Sequence, residues 1–153
     1  MDKILIINGP NLNLLGQREP ELYGHLTLDD INQGLIILAH KLGLTVDFFQ
    51  SNHEGALIEA IQKVGREYDG AILNAAAYTH TSLAIRDAVL AINKPVIEVH
   101  LTNPAGRDHF RSKSFLSGAA VGAISGFGPR SYELALLWFG QSVMPDPSSA
   151  VKV

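Results

Sequence analysis

Short runs of aliphatic residues alternate with longer segments of helical character along the chain, and this alternation constrains the fold more than any other feature. An almost uninterrupted aliphatic run is typical of a parallel strand that is buried on both faces. Strands and helices in alternation predict an open parallel sheet of the α/β class. The strands are predicted at residues 3–7, 45–49, 70–73, 95–100 and 119–124, and the helices at about 27–42, 52–67, 81–92 and 129–143.

Residues with capping preferences mark the ends of the predicted helices. Thr27 is placed to cap the first helix, and Gly43 is placed to end it. Ser51 or Asn52 could cap the second helix, and Pro129 suits the first turn of the last one. Because these residues fall between predicted strands and helices, they support the same alternation.

The chain has the dimensions of one domain, since its 153 residues show no internal repeat and no linker-like stretch. We expect a single domain over residues 1–144, built as a flavodoxin-like open five-stranded parallel sheet with helices on both faces. The helix at 81–92 is expected to bury Ala84, Ala88 and Val89 on one face. Residues 145–153 are expected to form a flexible C-terminal tail.

The composition argues against several classes of partner. A net charge of -3, with scattered basic residues, gives no electrostatic surface for nucleic acid. The sequence contains no cysteine, which excludes disulfides, thiol nucleophiles and cysteine-ligated zinc. No apolar stretch approaches the roughly 20 residues that span a membrane, and residues 1–4 do not resemble a secretory leader. We therefore expect a cytoplasmic protein with neither nucleic acid nor membrane partners.

Polar side chains follow the ends of the first four predicted strands. The carboxyl ends of parallel strands meet at one edge of a sheet, and open α/β sheets bind their ligands there. We therefore expect a ligand site at this edge. The residues concerned are Asn8, Asn11, Gln50, Ser51, Asn52, His53, Asn74, Tyr78, His80, His100, Thr102 and Asn103.

Three familiar chemistries find little support at this edge. The sequence holds neither a glycine-rich dinucleotide motif nor a P-loop. Lys113 is the one lysine placed near the edge, in a polar loop, so an imine with a keto-acid is disfavoured. His53, His80 and His100 could together bind zinc, although no H-x-x-x-H or H-x-E pairing supports them. A metal-dependent hydrolase stays open as an alternative.

Metal-free acid–base chemistry is the remaining interpretation. Arg18 and Tyr23 lie in one long loop, and a nearby guanidinium favours the tyrosinate over the phenol, whose ordinary pKa is about 10. Glu98 and His100 share one face of a strand, so the carboxylate could hold the imidazole in the orientation that a general acid requires. From spacing alone, a surface tyrosine with a solvated arginine is the simpler interpretation of the first pair. A histidine bonded to backbone is equally open for the second.

Four long motifs occur along the chain in a fixed order. The first is NGPNLNLLG at residues 8–16, followed by Arg18 and Tyr23. The others are FQSNHEG at 49–55, NAAAYTHTSLAIRD at 74–87, and EVHLTN at 98–103, followed by Arg107 and Arg111. With residues 132–136, these motifs closely resemble the type II 3-dehydroquinate dehydratases over nearly the whole chain.

The resemblance implies a cofactor-free hydro-lyase of the shikimate pathway, which converts 3-dehydroquinate to 3-dehydroshikimate by anti elimination. Tyr23, as a tyrosinate stabilised by Arg18, would remove a proton alpha to the ketone. Asn11 would stabilise the resulting enolate. His100, held by Glu98, would protonate the leaving hydroxyl.

The resemblance also implies how the substrate is held. The family assembles as a dodecamer of trimers, and the loop that carries the tyrosine acts as a lid. Ring hydroxyls would be bound by side chains, and the carboxylate by donors just after the fourth strand. The residues implied in substrate binding are Asn74, His80, Leu101, Thr102, Arg111 and, reaching a neighbouring subunit, Asp87.

The chain departs from the family pattern after Arg111. Ser112 and Lys113 stand where many members have two histidines, and Asp108 and His109 also differ from the commoner pattern. We expect these changes to affect the tuning of that edge more than the activity. A non-catalytic binding module on the same fold remains a third interpretation, beside the metal-dependent hydrolase.

Overall fold

The computed structural model describes residues 2–17 and 20–140, apart from the side chains of Leu22 and Tyr23. One parallel sheet contains strands β1 (Lys3–Asn8), β2 (Thr45–Gln50), β3 (Gly70–Asn74), β4 (Val96–His100) and β5 (Gly122–Ser125). The helices are α1 (Pro20–Tyr23), α2 (Leu28–Lys41), α3 (Glu54–Glu67), α4 (Leu83–Ala91) and α5 (Arg130–Gly140). Short 3-10 helices lie in the loops, at Leu12–Leu14, Ala76–His80, Pro104–Gly106 and His109–Arg111.

The strands lie in the order β2-β1-β3-β4-β5, and every neighbouring pair is parallel. This order is that of a flavodoxin-like sheet, so the predicted fold class is confirmed. Asn8, at the end of β1, lies beside Gln50 of β2 on one side and Asn74 of β3 on the other. The polar ends of three strands therefore meet where the strand order reverses, which is the point at which such sheets bind ligands.

The core consists of two apolar layers, one on each face of the sheet. Side chains alternate between the faces along β1, so Ile4 and Ile6 pack with α2 and α5 on one face. Leu5 and Ile7 pack with α3 and α4 on the other face. The two layers cover both faces, as the prediction required, and they fix the strands whose ends carry the site.

The first long helix begins and ends as predicted. The Thr27 hydroxyl accepts a hydrogen bond from the Asp30 amide at 3.1 Å, and the Asp30 carboxylate accepts one from the Thr27 amide at 2.9 Å. This reciprocal capping box satisfies two amides that the helix leaves unpaired. Gly43 follows the helix with φ of 69°, a left-handed conformation that glycine adopts without strain.

The predicted cap of α3 was wrong. His53 occupies the N-cap position, and its side chain makes no capping hydrogen bond. The Ser51 hydroxyl accepts from the His53 amide at 3.0 Å, and the Asn52 side chain accepts from the Asn11 amide at 3.0 Å. Both polar side chains are thus used in the loop before the helix, and Asn52 ties that loop to the one after β1.

Two other boundaries also differ from the prediction. β5 begins at Gly122, because the Ala119 and Ala120 amides both donate to the Leu116 carbonyl in a turn, at 2.8 and 3.0 Å. In α4, which Ser82 caps, Ile85 is buried and Ala84 is exposed, contrary to the expectation for Ala84. The alanines therefore predicted neither the start of β5 nor the whole buried face of α4 correctly.

The segment after β1 is more regular than the irregular loop that the sequence predicted. It contains a 3-10 turn at Leu12–Leu14 and the short helix α1. Leu12 and Leu15 are buried in the core beside α2, which anchors the start of the segment. The predicted tail at 145–153 and the predicted helix end at 141–143 lie outside the described residues. In the described part of the chain, no helix is long and apolar enough to cross a membrane.

Candidate active site

A cavity of about 130 Å³ lies at the carboxyl ends of β1, β3 and β4. Its polar lining combines amide, imidazole, hydroxyl and guanidinium groups, and its apolar lining comes from the segment after β1 and from the loops after β3 and β4. This mixture suits a small, oxygen-rich and anionic ligand. The lining residues are Pro10, Asn11, Leu12, Leu14, Leu15, Asn74, Ala76, Ala77, His80, His100, Leu101, Thr102, Pro104, Arg107 and Arg111.

A buried hydrogen-bond chain supports the floor of the cavity. The Tyr132 hydroxyl donates to Asn8 Oδ1 at 2.5 Å and accepts from Asn74 Nδ2 at 2.8 Å. Asn74 Oδ1 accepts from the Ala76 amide at 3.1 Å, and Ala76 has a left-handed φ of 51°. Burial raises the pKa of Tyr132, so the hydroxyl stays protonated. The side-chain amide of Asn74 is thus oriented through both its oxygen and its nitrogen before any ligand binds.

Asn11 is held at the mouth of the cavity in a left-handed conformation, with φ of 68°. The Asn52 side chain accepts the Asn11 amide proton at 3.0 Å and is itself bonded to Gln50 Nε2 at 3.2 Å. Gln50 Nε2 also donates to the Gly9 carbonyl at 3.1 Å. Asparagine tolerates this backbone conformation better than most residues do, so the residue type at position 11 suits the local turn as well as the cavity.

His100 and Glu98 form a close pair behind the cavity. Both lie on one face of β4, and Glu98 Oε1 is 2.7 Å from His100 Nε2. The Glu98 side chain is 1% exposed and that of His100 is 11% exposed. A carboxylate can only accept, so Nε2 carries a proton and Nδ1 is left for the cavity. The contact predicted from the spacing of these two residues is present.

The charge of Glu98 is maintained although its side chain is buried. Burial by itself would raise the pKa of this carboxyl group. Hydrogen bonds from the His100 ring and from the hydroxyls of Ser117 and Ser114 outweigh burial, and the pKa lies below its ordinary value. A fixed anion therefore lies behind the imidazole and accepts its Nε2 proton.

His80 lies on the same side of the cavity as His100. Their ring centroids are 6.5 Å apart, and the planes differ by 19°. His80 Nδ1 is 2.8 Å from the carbonyl oxygen of Lys113, which can only accept, so Nδ1 carries the proton. This contact uses the backbone of residue 113, and it is therefore independent of the departure from the family pattern at Lys113.

Two guanidinium groups bring positive charge to the cavity. Arg107 and Arg111 both line it, and Arg111 Nε lies 3.5 Å from the Asp108 carboxylate. Thr102 adds a hydroxyl at the same edge, and Leu101 lies between His100 and Thr102. Guanidinium and hydroxyl donors suit a ligand carboxylate or a polyol.

Most of the predicted site residues that the structure describes converge on this cavity. Asn11, Asn74, His80, His100, Leu101, Thr102 and Arg111 all line it, and Glu98 lies directly behind His100. Asp87 does not line the cavity and is exposed on α4. Arg18 lies outside the described residues, and of Tyr23 only the backbone is described, at the end of α1.

Three polar residues of the site were not singled out from the sequence. Tyr132 was noted only as part of a helix, although a buried hydroxyl in an apolar helix requires partners. Ser114 and Ser117 contact Glu98 across 16 and 19 residues of sequence. No local pattern marks such a contact, and only the folded chain shows it.

The metal-dependent alternative requires three histidines in one cluster. Among residues 2–17 and 20–140, no group of three or more histidine, cysteine, aspartate or glutamate side chains could hold a metal ion. His80 and His100 share the cavity, but His53 is at the N-cap of α3 and does not line it. The ligand set of that alternative is therefore not assembled.

Comparisons with known proteins point to one family. Residues 2–139 match the family described as Dehydroquinase class II. The 3-dehydroquinate dehydratase of Francisella philomiragia is 58% identical over 134 residues, which are 88% of this chain and 91% of that protein. The crystal structure of type II dehydroquinase from Propionibacterium acnes has a TM-score of 0.90 and 39% identity, covering 93% of this chain and 98% of that one. The corresponding structure from Butyrivibrio crossotus has a TM-score of 0.89 and 39% identity, covering 92% and 98%. The chain therefore belongs to the class II dehydroquinase family.

Proposed function

We propose that the chain is a 3-dehydroquinate dehydratase, which removes water from 3-dehydroquinate to give 3-dehydroshikimate with His100 as the general acid. One observation carries the proposal. In this chain, which belongs to the family, the His100 imidazole lines the cavity at the carboxyl ends of the strands, and the buried Glu98 carboxylate lies behind it. The Francisella relative bears the name of this activity. Elimination of water requires a base for one proton and an acid for the leaving oxygen.

The first step is removal of a proton alpha to the substrate ketone. We assign this step to Tyr23 as a tyrosinate, with Arg18 stabilising its negative charge. The electron pair of the broken C–H bond forms an enolate, and the new charge lies on the former ketone oxygen. Asn11 borders the cavity and would stabilise that oxygen with its amide group. These assignments rest on the family motif that the three residues match.

The second step breaks the bond between carbon and the leaving hydroxyl. The enolate electrons return to form the ketone and the new C=C bond, and the C–O electron pair goes to the departing oxygen. His100 gives its Nδ1 proton to that oxygen, which leaves as water, and exchange with solvent restores both residues. Glu98 keeps Nε2 protonated throughout. In an anti elimination the base and the acid act on opposite faces of the ring.

The remaining polar lining would orient the substrate. Asn74 and His80 would bind ring hydroxyls, and the oriented Asn74 amide supports this role. Arg111 would bind a further ring hydroxyl. The backbone at Leu101 and the hydroxyl of Thr102 would bind the carboxylate. None of these contacts requires a cofactor, and the proposed reaction includes no oxidation or reduction.

We propose that the working enzyme is a dodecamer built from trimers, and that it acts in the cytoplasm in the shikimate pathway. Asp87 lies on a face of α4 with Leu83 and Leu90, which are 57% and 56% exposed. If a neighbouring subunit covered these leucines, Asp87 would lie close to the cavity of that neighbouring subunit. Analytical ultracentrifugation should give a twelvefold multiple of the 16.5 kDa chain, and a monomer would exclude this role of Asp87.

The function is tested by adding 3-dehydroquinate to the purified protein, with a chelator present, and following the ultraviolet absorbance of the conjugated product. We expect absorbance to rise in the wild type and not in Tyr23→Phe, which should still bind the substrate. Borohydride with substrate should leave the enzyme active, because no imine forms. A flat trace from folded wild-type protein would contradict the proposal and favour a binding-only role.

A further inference from the structure

We propose that Ser114 and Ser117 are positioning residues, whose hydroxyls hold the Glu98 carboxylate in place so that it keeps His100 in its reactive orientation. The proposal deepens the function proposed above and rests on it for its kinetic consequences. Its structural basis is independent of the reaction. It consists of the contacts around the buried Glu98 carboxylate on β4.

Each oxygen of the Glu98 carboxylate has a hydroxyl donor. Ser114 Oγ donates to Oε1 at 2.8 Å, and Ser117 Oγ donates to Oε2 at 2.5 Å. His100 Nε2 also donates to Oε1, at 2.7 Å. The Thr79 hydroxyl is 3.5 Å from Oε1, at the limit for a hydrogen bond, and adds little. With both oxygens engaged, the carboxylate plane cannot rotate without losing a bond to one serine.

The direction of the Ser114 hydroxyl is fixed by its own neighbours. Ser114 Oγ accepts hydrogen bonds from the backbone amides of Leu116 and Ser117, both at 3.0 Å. A serine oxygen has two lone pairs and one proton. Because the two amides occupy the acceptor positions, the proton is left to point at Glu98. The hydroxyl therefore acts as a donor toward the carboxylate.

The loop that carries the two serines is anchored at several points. The Phe115 amide donates to the Thr79 carbonyl at 2.9 Å, and Arg86 donates to the Phe115 carbonyl at 2.7 Å. Leu116, between the serines, is 1% exposed and belongs to the core layer beside α3 and α4. The donors are thus held by the fold, and they reach Glu98 from a separate part of the chain.

The donors around Glu98 have a chemical consequence because the serines are neutral. A lysine or arginine in their place would neutralise the Glu98 carboxylate. Hydroxyls stabilise the anion and leave it able to attract positive charge on the His100 ring. Among the neighbouring titratable and charged groups, His80 lies beside His100, and Arg107 and Arg111 line the cavity. The serines therefore stabilise an anion behind His100 without neutralising its charge.

Ser117 is the more informative residue to change. It is exposed as a whole, so removal of its hydroxyl leaves no hole in the core, and its loss should act mainly through Glu98. Ser114 also binds two backbone amides, so Ser114→Ala would disturb the loop as well. Ser112 offers a matched control, because its hydroxyl donates to the His109 carbonyl at 2.7 Å in the same loop and does not contact Glu98.

The test compares the kinetics of Ser117→Ala, Ser117→Thr and Ser112→Ala on 3-dehydroquinate across pH. In Ser117→Ala we expect kcat to fall about ten- to a hundredfold, as for loss of one hydrogen bond to a charged group, with KM little changed. The acidic limb of the pH profile should move to higher pH, because loss of a hydrogen-bond donor raises the pKa of the Glu98 carboxyl group. Ser117→Thr keeps the hydroxyl and should recover most of kcat, and Ser112→Ala should match the wild type. Wild-type kcat and an unshifted profile in Ser117→Ala would overturn the proposal.

A second measurement does not depend on turnover. In protein labelled with ¹³C at glutamate carboxyl carbons, the Glu98 signal is assigned by its loss in Glu98→Gln. Its titration midpoint should lie at higher pH in Ser117→Ala than in the wild type or Ser112→Ala. An unchanged midpoint would overturn the proposal, even if the wild type proved inactive on 3-dehydroquinate. Inactivity together with a shifted midpoint would remove the proposed function and keep the role of the serines.

Discussion

At the scale of single residues, the polar groups that matter are buried and paired. Tyr132 is fully buried, and its hydroxyl joins the side chains of Asn8 and Asn74 at the floor of the cavity. Glu98 is nearly as buried and depends on donors from two distant serines. A buried polar group left without its partner is costly, so single substitutions here should have large and specific effects.

Tyr132→Phe removes one hydroxyl, so Asn74 Nδ2 and Asn8 Oδ1 both lose the partner that it provides in the core. We expect the free energy of unfolding to fall by about 1–3 kcal/mol. Tyr78→Phe is the matched control, because the Tyr78 hydroxyl makes only a long, exposed contact of 3.4 Å with the Asn52 carbonyl. That control should change stability by less than about 0.5 kcal/mol. Urea denaturation at neutral pH measures both, and equal effects would contradict the assignment.

Glu98 should make stability depend on pH in acid. Its pKa in the folded protein lies below the ordinary value of 4.5, so its stabilising contribution is complete above that value and is lost as the pH falls through the folded pKa. Glu98→Gln lacks this group and should be less stable than the wild type at pH 7. The difference between the two should shrink as the pH is lowered below about 4.5. Urea denaturation over pH 7 to 3 checks this, and a constant difference would count against a charged Glu98.

Sequence reasoning at this scale succeeded where the chemistry is local. The spacing of Glu98 and His100 along one strand made their contact one of two open interpretations, and the structure shows that contact. The serine contacts to Glu98 and the contacts of Tyr132 were missed, because they join residues far apart in sequence. A partner supplied from another loop has no signature in its own neighbourhood.

At the scale of helices and strands, capping and close packing fix the boundaries. Thr27 marked the start of α2 correctly, because its cap partner Asp30 is three residues away. The caps proposed for α3 were wrong because Asn52 bonds to a loop 41 residues earlier and Ser51 bonds within its own turn. Local signals therefore predicted a helix cap correctly when the partner of the capping residue was local.

Replacement of a glycine by alanine should change the free energy of unfolding in opposite directions at two positions in different elements. At Gly70, the start of β3, an added Cβ would overlap the Phe139 ring and lie 3.0 Å from the Pro95 carbonyl oxygen. We expect Gly70→Ala to lower the free energy of unfolding by about 1–3 kcal/mol. Gly34, inside α2, has open space around the added Cβ, and Gly34→Ala should raise stability by about 0.5–1 kcal/mol. Thermal or urea unfolding of both variants tests this, and a shared sign would be inconsistent with the packing.

At the scale of the whole molecule, the site follows from the strand order. The strand order reverses between β1 and β3, and the loops after β1, β3 and β4 meet at one edge of the parallel sheet and enclose the cavity. Alternating strands and helices were sufficient to predict this edge and most of the polar residues on it. They could not predict that Ser114 and Ser117 reach Glu98 from a separate loop, because these contacts do not follow from the pattern of strands and helices.

The central claim is that the His100–Glu98 pair supplies the acid for dehydration in this cavity. The most direct test is the ratio of kcat for the wild type and His100→Gln, measured from the absorbance of the conjugated product. A general acid contributes about a hundred- to ten-thousandfold, so we expect kcat to fall by that factor while KM changes little. A His100→Gln variant that kept kcat within a few-fold of the wild type would contradict the account.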